Sequence, residues 1–439
     1  MNIIIAGAGK VGFNLAKTLS IGHSVTVIDK NKDALSKIQE SLDILPLLGD
    51  IRDAESFSDF ADIDIDLFIA VSNSDDANVI SCMIIDSVLK VKRKFLRVQN
   101  SFYKDTNLKE KLNVEELIVP TELSSKSIEN LLNYPKINNI KSFKYTNYKL
   151  ISVFSTKFIS SEELRSFLDK EVEFIVGVER DKSLVLSNFY EIYRGDLVYL
   201  FVKEESIKKI CDILNESDIK EIKNCVVFGA SELGIDISKV LVDNKKVVKL
   251  IDKDVALCEM AEERLEGRVE VINSKYQTEK LFLDEGLDRA DMCVSTYKND
   301  EYNIIKSLEA KEFGIKNIVA INSESEYYNL MHRLSIVALR GPKMSAYHTI
   351  MEYISSSGVV LEKYFCGGKG VVFLRKIFEN SPLIGEEIKK VEVEGTNCFI
   401  IRDDKIFSLD KAVLQQDDIV IAMTDEANSP KVKLWIYEL

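Results

Sequence analysis

The chain has 439 residues, with 71 Asp and Glu against 58 Lys and Arg, a formal net charge of −13. At ~100–200 residues per domain this length predicts two to four domains, and the acidic balance disfavours nucleic acid or an anionic bilayer surface as a partner. The 46% hydrophobic and 29% charged content is that of a folded globular protein, and no apolar run approaches the ~18–20 residues of a spanning helix.

The sequence enters a strand at once, with no signal peptide ahead of it, which reads as cytoplasmic. Ile3 to Ala6 is an apolar run typical of a buried parallel strand, and Phe13 to Leu19 opens a helix. Between them stands Gly7-Ala8-Gly9-Lys10-Val11-Gly12, the glycine spacing of a dinucleotide cradle. In this motif Gly7 allows the tight turn, Gly9 lets backbone approach a pyrophosphate, and Gly12 lets the helix pack close to the strand. Phosphates then meet unpaired N–H groups at the positive end of the helix dipole. Val25 to Asp29 is the second strand, and the Asp29 carboxylate is placed to accept hydrogen bonds from an adenosine ribose and to repel a 2′-phosphate. NAD(H), ATP or ADP therefore fits better than NADP, although a glycine-rich turn without ligand is the competing reading.

A helix is expected over Asn31–Ser41, a third strand over Ile44–Leu48 ending in Gly49-Asp50, and a fourth over Asp66–Val71. The polar turn Ser72-Asn73-Ser74-Asp75-Asp76-Ala77-Asn78 leads into a helix from Val79 to Leu89, followed by strands Phe95–Gln99 and Glu116–Val119. In such sheets ligands sit outside the carboxyl ends of the strands. Gly7, Asp29, Gly49-Asp50, Ser72-Asn73 and Arg97 thus converge on one crevice, with Arg97 read either as a phosphate partner or as a plain surface arginine.

A helix Glu122–Leu132 ends near Tyr134-Pro135, and the pattern changes to short strands at Leu150–Phe154, Val172–Val178, Leu184–Leu186 and Gly195–Phe201. This is a small α+β module. A helix Glu205–Leu214 and polar Asn215-Glu216-Ser217 close it.

At Asn224 the pattern restarts. Gly229-Ala230-Ser231-Glu232-Leu233-Gly234 repeats the glycine turn and Asp252 the acid-capped second strand. The offsets are constant: 229 − 7 = 222, 234 − 12 = 222, 252 − 29 = 223 and, for Asn78 and Asn303, 225. The small module repeats as well, Arg180-Asp181 matching Arg402-Asp403 and Asp196 matching Asp418, all at 222. The predicted fold is therefore α/β, a tandem duplication of a Rossmann-like doubly wound parallel-sheet domain plus a small α+β domain, divided as 1–133, 134–216, 222–350 and 351–439. The copies differ where a ligand would sit. Ser231 replaces the middle glycine, Asn273-Ser274 stands for Gly49-Asp50, Tyr297-Lys298 for Ser72-Asn73, and Ala320 for Arg97. A weak or altered site in the second copy competes with a fold retained only as scaffold.

Seven cysteines, Cys82, Cys211, Cys225, Cys258, Cys293, Cys366 and Cys398, lie far apart without a C-x-x-C pair. They are expected as buried thiols, and no metal site is expected.

The Gly7-x-Gly9-x-x-Gly12 turn with Asp29, the Ala70–Asn78 turn, Arg97, the duplicated module with Gly195-Asp196-Leu197-Val198, and Ser381–Gly385 resemble the RCK (KTN) family of cytoplasmic subunits that regulate potassium transport. The resemblance spans essentially the whole chain and implies alternating N-terminal and C-terminal RCK domains (RCK_N, RCK_C, twice). It further implies a non-enzymatic subunit that binds NAD(H) or ATP/ADP. Such a subunit self-associates as a homotetrameric ring, peripheral on the inner face of the membrane, on a potassium channel-like partner of the TrkH/TrkG type. Nucleotide contacts are implied at Gly7, Gly9, Lys10, Val11, Asp29, Ser72, Asn73 and Arg97; Ser231, Tyr297, Lys298 and Ala320 depart from the pattern. A dehydrogenase is the contrasting class, but it needs an acid or base beside the nicotinamide. The histidines are only His23, His332 and His348, with His23 expected at the end of the sheet away from the crevice. A standalone nucleotide sensor for another partner is the remaining alternative.

Overall fold

Two six-stranded parallel sheets repeat one strand order, 3-2-1-4-5-6. In the first, Leu45–Leu48, Ser24–Asp29, Asn2–Ala6, Ile65–Ala70, Val91–Arg97 and Glu116–Ile118 lie side by side. In the second the same places are taken by Glu270–Asn273, Val247–Asp252, Asn224–Phe228, Met292–Ser295, Asn317–Asn322 and Val337–Arg340. The computed structural model describes residues 1–143, 145–168, 174–181, 183–186, 191–216, 221–275, 279–355, 360–379, 381–389, 391–409 and 412–439. The α/β class and the duplication expected from the sequence are thus both present.

The central strands are apolar along their whole length because helices cover both faces. Ile3, Ile4, Ile5 and Ala6 are all at 1% exposure or less, as are Val227 and Phe228 in the repeat. Contacts divide the chain into two compact units. One holds both parallel sheets, as Met1–Ile128, Lys223–Tyr327 and Met331–Met351. The other, Glu129–Ile222, Tyr328–Leu330 and Glu352–Leu439, holds both small modules.

Each small module carries a five-stranded antiparallel sheet, ordered Ser183–Val185, Phe174–Arg180, Leu197–Lys203, Tyr148–Phe154 and Ile137–Ser142 in the first, and Lys405–Ser408, Asn397–Arg402, Ile419–Asp425, Gly370–Lys376 and Val360–Phe365 in the second. Their aromatic faces share one core: Phe174 meets Phe399 at 4.6 Å and Tyr199 meets Phe365 at 5.2 Å. The repeated arginine and aspartate form the same clamp twice. Arg180 Nε donates to Asp196 at 2.9 Å and Arg402 Nε to Asp418 at 2.7 Å, while Asp196 and Asp418 also accept the N–H groups of Tyr193 and Gln415 at 2.8 Å.

Several expected boundaries move. The first helix begins at Lys10, three residues before Phe13, because its opening turn is the glycine loop itself. The helix expected from Val79 begins at Asp75: Ser74 caps it by accepting the Ala77 N–H at 3.2 Å, and Asp75 and Asp76 suit its positive end. The fifth strand runs Val91–Arg97 and stops before Gln99. Its charged first half hides it in the sequence, yet Lys94 is 2% exposed and donates to Asp86 and to the Leu112 carbonyl. Strand Ile137–Ser142 and helix Ser161–Phe167 had not been expected. Val172, Glu173, Ser217 and the His332 side chain lie outside the described residues.

Candidate nucleotide crevice

In the first copy the three glycines have three different surroundings. Gly7 has φ +121°, and a Cβ there would stand 2.7 Å from the Ser72 nitrogen. At Gly12 a Cβ would stand 1.9 Å from the Gly7 carbonyl oxygen, so the helix can reach the strand only without one. Gly9 is extended at φ −70°, ψ −176°, a conformation open to any residue, and a Cβ on it would meet nothing within 4 Å. Its lack of a side chain therefore serves space and not backbone. Helix Lys10–Leu19 starts there with no side-chain cap, which leaves its first N–H groups, around Val11 and Gly12, facing the crevice end of the sheet.

Asp29 ties the turn from below. Its carboxylate accepts the Ala8 N–H at 2.6 Å and the Asn31 N–H at 2.8 Å, and it remains partly exposed. The fourth strand ends in a second clamp. Asn78, fully buried, accepts the Ser72 N–H at 2.9 Å and donates to the carbonyls of Ser72 at 3.0 Å and Arg97 at 2.9 Å. Asn303 repeats this on Tyr297 and Ile321. The sequence marked these asparagines as repeat positions without revealing that they bolt helix, fourth strand and fifth strand together.

Arg97 is no surface arginine. It is 4% exposed, one terminal N–H donates to the Ser72 carbonyl at 3.1 Å, and its Nε is buried with no acceptor among the described residues. Burial pulls its pKa down from the ordinary arginine value, with Asp75 opposing. A buried guanidinium with an unused donor is the donor set that an anion completes.

Other expected residues sit less centrally. Asp50 is held by Arg52 in an exposed ion pair at 2.6 Å, which takes its carboxyl down to about 2. Gly49 is closed off by Ser56, whose Oγ a Cβ would meet at 2.6 Å. Asn73 is exposed, and its carbonyl accepts from Gln99 at 2.7 Å. The Lys10 side chain points to the second copy, donating to the Ser323 carbonyl at 2.8 Å and pairing with Glu324, so only its backbone remains for the crevice. His23 lies at the start of strand Ser24–Asp29, the end opposite the crevice.

The second copy keeps the backbone and fills the space. Ser231 has the conformation of Gly9, φ −71°, ψ 173°. Asp252 accepts the N–H groups of Ala230 at 2.8 Å and Asp254 at 3.0 Å, but it is 4% exposed where Asp29 is partly exposed. The Thr296 hydroxyl donates to the Phe228 and Gly229 carbonyls at 2.9 Å and fastens the turn from inside. Glu232 is paired with Arg264, and beside it Leu233 and Gly234 are buried in the helix. Tyr297 and Tyr302 face each other at 4.7 Å between ring centres, and Tyr302, whose pKa is raised by burial and by the charges of Glu309 and Asp252, stands where the first copy has Ala77. Reading the repeat at an offset of 225 sets Tyr302 opposite Ala77 and exposes the change from a small to a large side chain.

The TrkA-N domain matches residues 3–120 and 225–339. The chain belongs to the TrkA-N domain family. Among its relatives, the Trk system potassium uptake protein TrkA of Vibrio alginolyticus is 23% identical over 438 residues, covering 96% of this chain and 95% of its own length. The protein of the same name from Haemophilus influenzae is 24% identical, with 99% and 98% covered. Among solved structures, the GsuK RCK domain superposes with a TM-score of 0.62 at 16% identity, covering 100% of this chain and 95% of its own. The GsuK channel bound to NAD gives 0.61 at 16%, with 100% and 79% covered. These two likenesses show the RCK fold over the whole chain.

Proposed function

We propose that this chain is a nucleotide-binding regulatory subunit of a membrane potassium-uptake system, with its ligand in the first crevice and a scaffold in the second. The observation that carries the reading is the contrast at the strand ends: space above Gly9, a partly exposed Asp29 and a buried Arg97 with an unused Nε in one copy, against Ser231, Tyr297 and Tyr302 in the other. The backbone of Gly7 to Gly12 receives phosphate, Asp29 the ribose hydroxyls, and Ser72, Asn73 and Arg97 the remaining polar groups. NAD(H), ATP and ADP share that adenosine end, and GsuK structures are described as bound to NAD and to ADP. Relatives named for Trk potassium uptake match this chain along nearly their full length. The modules are 1–133, 134–216, 222–350 and 351–439.

The partner in this reading is a channel-like membrane subunit of the TrkH/TrkG type, met on the cytoplasmic face by a homotetrameric ring. Support for self-association comes from the repeat: Ile80 and Met83 on helix Asp75–Val88 are exposed, and so are Ile305 and Leu308 at the matching positions of Asp300–Glu312. Regulation requires that a nucleotide bind two ring states with unequal affinity. Light scattering of the purified chain, followed by potassium flux through the cognate subunit in liposomes with and without protein and nucleotide, tests this. A monomer, or a flux indifferent to both, removes it.

A further inference from the structure

The two small modules pair about an approximate two-fold axis. Asn397 Nδ2 donates to the Val176 carbonyl at 3.4 Å, and these residues stand 221 positions apart, almost the repeat offset of 222. Each faces nearly its own counterpart, which places both beside the axis. A surface that pairs in this way is also able to pair with a copy of itself.

The two ends of the interface differ. At one end Glu179 of the first module, 4% exposed, accepts the Tyr199 hydroxyl at 3.0 Å and the Lys369 ammonium of the second module at 3.3 Å. Cys366, also of the second module and 4% exposed, bonds to Glu179 and Tyr199; burial and then the Glu179 charge push its thiol up, so it stays protonated. The axis carries these positions to the other end: 179 + 222 = 401, 199 + 222 = 421 and 369 − 222 = 147, which are Ile401, Ile421 and Asn147. Both isoleucines are buried, and Asn147 lines an open cavity of about 520 Å³ together with Asp404. A charge pair closes one end only.

A buried ion pair adds little net stability over apolar residues of similar size, yet separating its partners is costly. If two second modules paired with each other, each Lys369 would lose Glu179 and meet Ile401 and Ile421. The carboxylate at that end, Asp404, is exposed, where an ion pair is worth little. The penalty falls twice in every such interface.

We propose that Glu179 and Lys369 are a recognition pair that makes the second small module accept a first small module and refuse another second one. Every chain carries one module of each kind, so second modules committed in this way leave no first module over. The small modules then close on each other within a chain instead of linking copies through this face. Selection comes from the mismatch and not from the strength of the pair.

The test uses the full chain carrying Asn397→Cys, refolded and then oxidised. Two second modules paired about the axis bring two such cysteines together and give a covalent dimer, whereas native pairing sets position 397 against Val176 and gives none; the chain without Asn397→Cys controls for links through native thiols. Glu179→Ile with Lys369→Asn gives each position its counterpart's residue, and the dimer fraction should rise ~5-fold or more. Glu179→Lys alone and Lys369→Glu alone should raise it as well, and the two together, which exchange the charges, should bring it back down. An unchanged dimer fraction in the Ile/Asn chain overturns the proposal. So does an exchanged pair that links as readily as the single reversals, and this comparison decides alone if the Ile/Asn chain does not refold.

Discussion

The two glycine turns share a backbone and part company in everything above it. Gly7 and Gly229 both donate to the second strand at 2.8 Å, and Asp29 and Asp252 both hold the next residue's N–H. A Cβ at Gly12 or Gly234 would press on the same carbonyl oxygen, at 1.9 and 1.8 Å. Groups that shape the loop have therefore been kept twice. Those that would meet a ligand exist once: Gly9, Ser72, Ala77 and Arg97 face Ser231, Tyr297, Tyr302 and Ile321, the strand register placing Ile321 where the sequence offset pointed to Ala320. Duplication lets one copy lose binding because folding does not depend on the same atoms.

That separation predicts which substitutions act alike in both copies. Gly12→Ala and Gly234→Ala should each destabilise the parallel-sheet unit by ~3 kcal/mol or more, since a backbone oxygen cannot move aside for a Cβ. Denaturant unfolding followed by circular dichroism reads this directly; two unchanged midpoints would show that the close helix–strand approach is not required. Asn78→Ala and Asn303→Ala should behave as a second matched pair, each costing ~2 kcal/mol through buried partners left without a hydrogen bond.

Substitutions at ligand-facing positions should break the symmetry. Gly9→Ser copies the second turn into the first, at an extended conformation with free space around it, so melting should be unchanged while nucleotide affinity falls by ~2–3 kcal/mol as a side chain enters the phosphate space. Titration calorimetry against adenine nucleotides, set beside a thermal melt, separates the two effects; a lowered melting point with intact affinity would reverse the assignment. Asp29→Ala should cost ~1.5–3 kcal/mol of nucleotide affinity. It also removes the acceptor for the Ala8 and Asn31 N–H groups. Asp252→Ala, lacking a ligand to lose, should therefore report the structural share of that effect alone.

Much of this was legible because glycine spacing and apolar runs are local signals. The doubly wound class, the duplication at offsets of 222 to 225 and the candidate crevice residues Gly7, Gly12 and Asp29 all follow from them, whereas the order of strands within each sheet comes from the structure. Arg97 was visible as a residue but not as a buried one, since nothing in Phe95-Leu96-Arg97-Val98 tells which way a side chain at a strand end turns. The strand from Val91 was masked by Lys92, Arg93 and Lys94, whose charges are satisfied by Asp66, Glu115 and Asp86, between 8 and 26 positions away. The resemblance implies a nucleotide contact at Lys10, and nothing local foretells that its side chain takes Ser323 and Glu324, 313 and 314 positions away. Contacts between the copies leave no local trace in either one.

The smallest expected effect is the sharpest test of the comparison. Ser231→Gly restores the three-glycine turn in the second copy, and if the middle glycine alone decided binding, a second site should open. The structure gives three further obstacles: Tyr297 and Tyr302 stand as a pair where the first copy has Ser72 and Ala77, Thr296 binds the turn's own carbonyls, and Ile321 in the place of Arg97 supplies no guanidinium. Since Ser231 already has the backbone of Gly9, its replacement changes neither the loop nor these groups, and stability should shift by less than ~1 kcal/mol. Nucleotide stoichiometry by calorimetry should stay at one per chain. A second tight site in Ser231→Gly would mean that the tyrosines give way at little cost, and the second crevice would then be a site silenced by one hydroxymethyl group.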